Sequence, residues 1–185
     1  MYSLFVSLQL PMSIRDQLTL LCNGLPGAHW LDADQLHLTI RYVGQVDGGQ
    51  FEDVKGALAM VKAGPVELVL EGVGFFPPRR KPTSIWVGVK KNEELMQLHR
   101  RVDSVLRDCG LEPEARKFVP HVTLAHFGAG NVKSDRPGPM AEYLARHSLF
   151  RTEPFTVDQF GLFSGARSNH GPIYRQEADY DLLEV

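Results

Sequence analysis

Hydrophobic positions along this chain switch between helical and strand spacing, and the switches mark its elements. Tyr2 to Gln9 is rich in β-forming residues and closes at Pro11, which predicts a strand. Ser13 to Cys22 sets Ile14, Leu18 and Leu21 at helical spacing behind a capping serine, and Gly24 to Gly27 ends it. Leu36 to Val43 reads as a strand, Gly44 to Gly49 as turn material, and Phe51 to Val61 as a helix stopped by Gly64-Pro65. Strands follow at Val66 to Leu70 and Ser84 to Val89, separated by an aromatic and basic loop, Gly72 to Pro82. Glu93 to Cys109 is the longest predicted helix, with Leu95, Leu98, Val102, Val105 and Leu106 on one face and Gly110 as its stop. Phe118 to Phe127 is a strand, Gly128 to Pro139 a polar loop, and Met140 to His147 a short helix. Strands at Phe155 to Ser164 and Ile173 to Tyr180 enclose a loop from Gly165 to Pro172. Helices and strands mix without strict alternation, which favours an α+β fold with largely antiparallel sheets over a doubly wound parallel one.

A length of 185 residues suits one domain, spanning 1–185, or two small lobes sharing an interface. With 43% hydrophobic and 23% charged residues, the composition is that of an ordinary globular protein. A formal charge of −2 excludes bulk electrostatic attraction to nucleic acid, so any RNA contact must come from a local patch. Cys22 and Cys109 form no CxxC pair, which argues against a cysteine zinc site and a disulfide framework. The start of the chain lacks the features of a signal peptide, and no apolar run reaches the length of a membrane span. The expected setting is the cytoplasm and the expected state a monomer.

Two short segments carry chemistry. His37-Leu38-Thr39-Ile40 and His121-Val122-Thr123-Leu124 share one pattern, His-x-Thr-x with apolar residues between, one in each half of the chain. Strand alternation puts His37 and Thr39 on one face, His121 and Thr123 on another, and sends the apolar residues into packing. Phosphodiester hydrolysis needs a base for water and an acid for the departing alkoxide, and imidazole can be either near neutral pH. The threonine hydroxyls can donate to non-bridging phosphate oxygens. Arg41, two residues after Thr39, is expected on the same face as a phosphate contact. Neither motif holds a carboxylate or cysteine, and no His-x-x-x-His pair occurs, so no metal or other cofactor is expected. An RNA-binding module with a vestigial pair is the reading from another class.

The paired motifs resemble the 2H phosphoesterase superfamily. Leu4-Phe5-Val6 with Pro11, Trp30 to Gly44, Gly72 to Pro77 with Ile85 to Val89, and Phe118 to Ala125 are similar to successive segments of its RNA 2′,3′-cyclic phosphodiesterase (2′-5′ RNA ligase) branch. Phe160 to Ser164 and Gly171 to Tyr174 resemble that branch's last two strands. The resemblance implies a bilobal fold: two small antiparallel sheets, outer helices, and a central cleft carrying the two motif strands. It also implies metal-free opening of a terminal RNA 2′,3′-cyclic phosphate to a 2′-phosphate, with 2′-5′ ligation as the reverse. His37 would be the proton donor and His121 the acceptor; the residues alone leave that assignment open. Activity on 2′-5′ oligonucleotides or small cyclic nucleotides is the alternative within the same chemistry. His126 stands where relatives usually carry arginine, and regular alternation would turn it off the His121 face unless a bulge intervenes.

Among secondary candidates, Phe75 and Phe76 could stack on a base, whereas Trp86, inside an apolar strand, is expected in the core. Arg79-Arg80-Lys81 and, more weakly, Arg116-Lys117 could track an RNA backbone. Arg167, Asn169 and His170 are polar loop residues that could contact a nucleotide. His29, His99 and His147 read as structural or surface residues.

Overall fold

A computed structural model describes residues 1–76, 82–128, 138–169 and 171–183. In chain order the strands are β1 (Tyr2–Gln9), β2 (Ala28–Trp30), β3 (His37–Val46), β4 (Val66–Leu68), β5 (Leu70–Phe76), β6 (Ser84–Val89), β7 (His121–Phe127), β8 (Phe155–Val157), β9 (Gln159–Ser168) and β10 (Gly171–Asp181). The helices are α1 (Met12–Thr19), α2 (Gly48–Leu58), α3 (Glu93–Asp108) and α4 (Gly138–Arg146), with a 3₁₀ turn at Ala33–Gln35. No helix among the described residues is long and apolar enough to cross a membrane.

Among the described residues, eight strands form one sheet in the order β10-β9-β1-β3-β7-β6-β5, with β2 alongside β7. All of its pairings are antiparallel. β4 and β8 make a small second sheet. The two lobes implied by the motif resemblance are the two halves of the large sheet. They meet at β3 and β7 through the single described pair Leu38–Val122. One face of the sheet carries Leu4, Val6, Leu8, Leu38, Ile40, Ile85, Val87, Val122 and Leu124, all buried. The helices supply the complementary apolar stripes: Ile14 and Leu18 from α1, Val54 and Leu58 from α2, Leu95, Leu98, Val102 and Leu106 from α3, Tyr143 from α4. Each such side chain contributes about 1.5–3 kcal/mol by leaving water.

Local chemistry sets the boundaries. The Asn92 side chain accepts from the Leu95 amide at 2.8 Å, and Glu93 and Glu94 complement the exposed N–H groups, so α3 begins at Glu93. α2 begins at Gly48 and ends at Leu58, earlier than Phe51 to Val61 predicts. Asp47 accepts from the Gln50 amide at 2.8 Å and Gln50 reaches back to the Asp47 N–H, a capping box that holds the two glycines in the first turn. β7 starts at His121, not Phe118, since Pro120 has no N–H to give a ladder. Glycine-rich stretches read as loops are strands. Leu70 to Phe76 pairs with β6, and Gln159 to Ser168 pairs with Gly171 to Asp181 as a long hairpin. Tyr2 pairs with Val46, which carries β3 past Gly44.

Candidate active site

The register at the seam builds the site. With Leu38 opposite Val122 in antiparallel pairing, Thr39 stands opposite His121 and His37 opposite Thr123. Leu38 and Val122 are fully buried on the helix side, while the four flanking residues are half-buried on the other face. The structure therefore brings His37, Thr39, His121 and Thr123 together.

The two imidazoles are held alike. Nδ1 of His37 lies 2.7 Å from the Gln35 carbonyl, and Nδ1 of His121 lies 2.7 Å from the Val119 carbonyl. A carbonyl only accepts, so Nδ1 carries the hydrogen in both rings and Nε2 remains as the second nitrogen of each. In the neutral form each Nε2 is a base; in the cationic form each is an acid. The surroundings differ. His37 stacks on Phe5 at 5.0 Å and meets the edge of Tyr174 at 5.0 Å. Burial lowers its pKa below the usual histidine value, the Gln35 carbonyl opposes that shift, and the His121 charge adds to it. His121 meets the edge of Phe76 at 5.0 Å, with Trp86 at 6.2 Å. A cleft of about 650 Å³ opens beside Thr39 and His121, walled by Tyr42, Phe76, Ser84, Arg116, Lys117 and Phe118.

Each motif strand bulges directly after its threonine. Val6 pairs with Arg41 and Ser7 with Thr39, so β3 bulges at Ile40; Ile85 pairs with Ala125 and Trp86 with Thr123, so β7 bulges at Leu124. The extra residue reverses the alternation beyond it. Arg41, expected at the phosphate, is buried on the helix side instead. Its Nε donates to Asp103 of α3 at 2.8 Å, and its guanidinium also donates to the Tyr42 and Glu112 carbonyls. The corresponding bulge in β7 returns His126 to the face of His121 and Thr123, where partial desolvation lowers its pKa.

The remaining candidates divide. Phe75 pairs with the fully buried Ile85 and, partly buried itself, packs against the core. Phe76 is at the cleft. Trp86, expected in the core, lies half-buried on the cleft face across Gly74 and Gly88. A Cβ at Gly74 would come within 2.4 Å of the indole, so these glycines opposite and two beyond the tryptophan are the sequence signal for its position. Arg167 is exposed on the β9–β10 hairpin, in register with Pro172. Arg79, Arg80, Lys81 and His170 fall outside the described residues. The sequence alone did not single out Phe5 and Tyr174, which reach His37 only through pairing of distant strands, or Tyr42, which lines the cleft from the same strand as Thr39, past the bulge. Among the described residues, no three His, Cys, Asp or Glu side chains cluster so as to share a metal ion.

Comparison with known proteins agrees with this geometry. Residues 15–169 match the sequence profile of the 2′-5′ RNA ligase superfamily. The chain is 28% identical over 175 residues to the RNA 2′,3′-cyclic phosphodiesterase of Archaeoglobus fulgidus, covering 93% of this chain and 96% of that one. It is 30% identical over 151 residues to the protein of the same name from Thermotoga maritima, covering 80% and 76%. The crystal structure of E. coli LigT complexed with 3′-AMP has the same fold, with a TM-score of 0.77, 22% identity and 99% of both chains covered.

Proposed function

The chain belongs to the 2′-5′ RNA ligase superfamily, and from that premise we propose that it hydrolyses RNA 2′,3′-cyclic phosphodiester ends to 2′-phosphomonoesters by acid–base catalysis between His37 and His121. The names carried by its relatives support the substrate. The observation that supports the mechanism is the matched pair of Nδ1–carbonyl hydrogen bonds, which leaves Nε2 of each ring as the nitrogen that can exchange a proton with substrate.

In this mechanism His121 Nε2 takes a proton from water as its oxygen attacks phosphorus, opposite the 3′ oxygen. The new P–O bond forms, the P–O3′ bond breaks, and His37 Nε2–H delivers its proton to the departing O3′. Thr39 and Thr123 donate to the non-bridging oxygens, whose charge shifts in the transition state. Burial disfavours the cationic form of His37 in the free protein, so the negative phosphate placed between the rings draws the proton onto its Nε2. Phe76 and His126 contact the nucleotide beyond the phosphate. With a 5′-hydroxyl in place of water, the same steps join two ends: the 5′ oxygen bonds to phosphorus as His121 takes its proton, the P–O3′ bond breaks, and His37 protonates O3′, leaving a 2′-5′ linkage.

Product analysis by ³¹P NMR tests the assignment of roles. A 2′,3′-cyclic nucleotide should yield the 2′-monophosphate. Accumulation of the 3′-monophosphate, or no turnover by folded protein, would reject the proposal.

A further inference from the structure

A third histidine joins the two motif segments. His99, on α3, donates Nδ1–H to the Ile40 carbonyl at 2.9 Å. Ile40 follows Thr39 at the bulge, outside the pairing register with β1 and two residues beyond the described β3–β7 pair. The same ring lies flat on Phe118, with centroids 4.0 Å apart and planes 9° from parallel. Phe118 precedes Val119, whose carbonyl holds His121 Nδ1 at 2.7 Å. Residues 111–120 contain no helix or strand, so no ladder fixes the Val119 carbonyl and side chains must do so. Arg41 anchors the start of this segment through Glu112 and lies 3.9 Å from Glu114, but His99 reaches the end next to His121.

We propose that His99 is a positioning residue for the reaction: wedged between the Ile40 carbonyl and the Phe118 ring, it keeps the Val119 carbonyl, and with it the His121 ring, in register with Thr39. The ring that receives the proton from water then depends on a residue that never touches substrate. The inference rests on His121 being the proton acceptor proposed above.

Two variants separate its contacts. His99→Phe keeps a ring on Phe118 and removes the donor; His99→Asn keeps an amide donor and removes the stack. Each is studied by ¹⁵N NMR of the His121 ring without substrate, and by kcat and KM on a 2′,3′-cyclic mononucleotide well below the unfolding midpoint. His99→Phe should lose about tenfold to a hundredfold in kcat from displacement of the reacting group, with KM nearly unchanged. Its His121 ring should become a mixture of Nδ1–H and Nε2–H tautomers, and His99→Asn should retain more of both properties. If both folded variants keep a pure Nδ1–H His121 and the parent kcat, the proposal is overturned, even if they unfold at a lower temperature. The tautomer is read without turnover. A mixed tautomer in His99→Phe together with full activity in His121→Ala would therefore keep the brace and reject His121 as the acceptor.

Discussion

Thr39 on β3 stands opposite His121 on β7, one residue beyond the only described pair, Leu38–Val122, that joins the two halves of the sheet. His37 and Thr39 come from one side of this seam, His121 and Thr123 from the other. In the mechanism proposed above, each half of the sheet supplies one histidine and one threonine, so neither half alone would carry the reaction.

The seam should be sensitive to packing. Leu38→Ala removes a fully buried side chain and should cost about 2–5 kcal/mol in chemical denaturation. In the fraction that stays folded, kcat should fall more than KM rises, because the two motif strands lose their common register.

Burial lowers the His37 pKa below its unfolded value, so the folded chain binds fewer protons there than the unfolded chain does. The stability contributed by neutral His37 is present above the usual histidine range and is lost as pH falls through its folded pKa. Titration followed by NMR should show the His37 ring protonating at lower pH than an unfolded-chain histidine. Added inorganic phosphate should move that transition upward. An unshifted or raised transition in the free protein would contradict the burial argument.

Arg41 is a structural cation. Arg41→Ala empties a buried space beside Glu114 and Asp103, of which Asp103 keeps Arg107 as a partner, so stability should fall by less than the roughly 3–5 kcal/mol that breaking a fully buried pair costs. The Arg116→Ala, Lys117→Ala double variant should instead fold normally and raise KM for an oligonucleotide, with a weakened salt dependence. A large rise in KM for Arg41→Ala at unchanged stability would put its charge back at the phosphate.

Gly74→Ala places a methyl group within 2.4 Å of the Trp86 ring. The indole must then leave the strip beside His121 and Phe76. Tryptophan fluorescence should change, and KM for cyclic nucleotides should rise, while Gly56→Ala, in open space on α2, serves as the silent control.

Much of this was legible in the residues. The alternation in His37 to Ile40 and His121 to Leu124 placed each histidine beside its threonine, and the apolar spacing of α3 identified its buried face. The bulges at Ile40 and Leu124 were not legible, because a bulge is a relation between paired strands. Each exchanged the expected face of a downstream residue, taking Arg41 away from the cleft and bringing His126 to it. Gly72 to Phe76 and Gly165 to Ser168 looked like loops because glycine weakens an isolated strand; cross-strand partners hold them in the sheet. The ring stack of His99 on Phe118 joins a helix to a segment without regular structure, and no local pattern announces it.

The most direct test of the whole account is the hydrolysis rate of a 2′,3′-cyclic nucleotide by parent, His37→Ala and His121→Ala proteins, each in excess EDTA and each checked for folding. Loss of a general acid or base typically removes about 10²–10⁴-fold in rate, so both variants should fall by that order while the parent is unaffected by the chelator. Variants that turn over at the parent rate, or a parent silenced by EDTA and restored by a divalent metal, would contradict it.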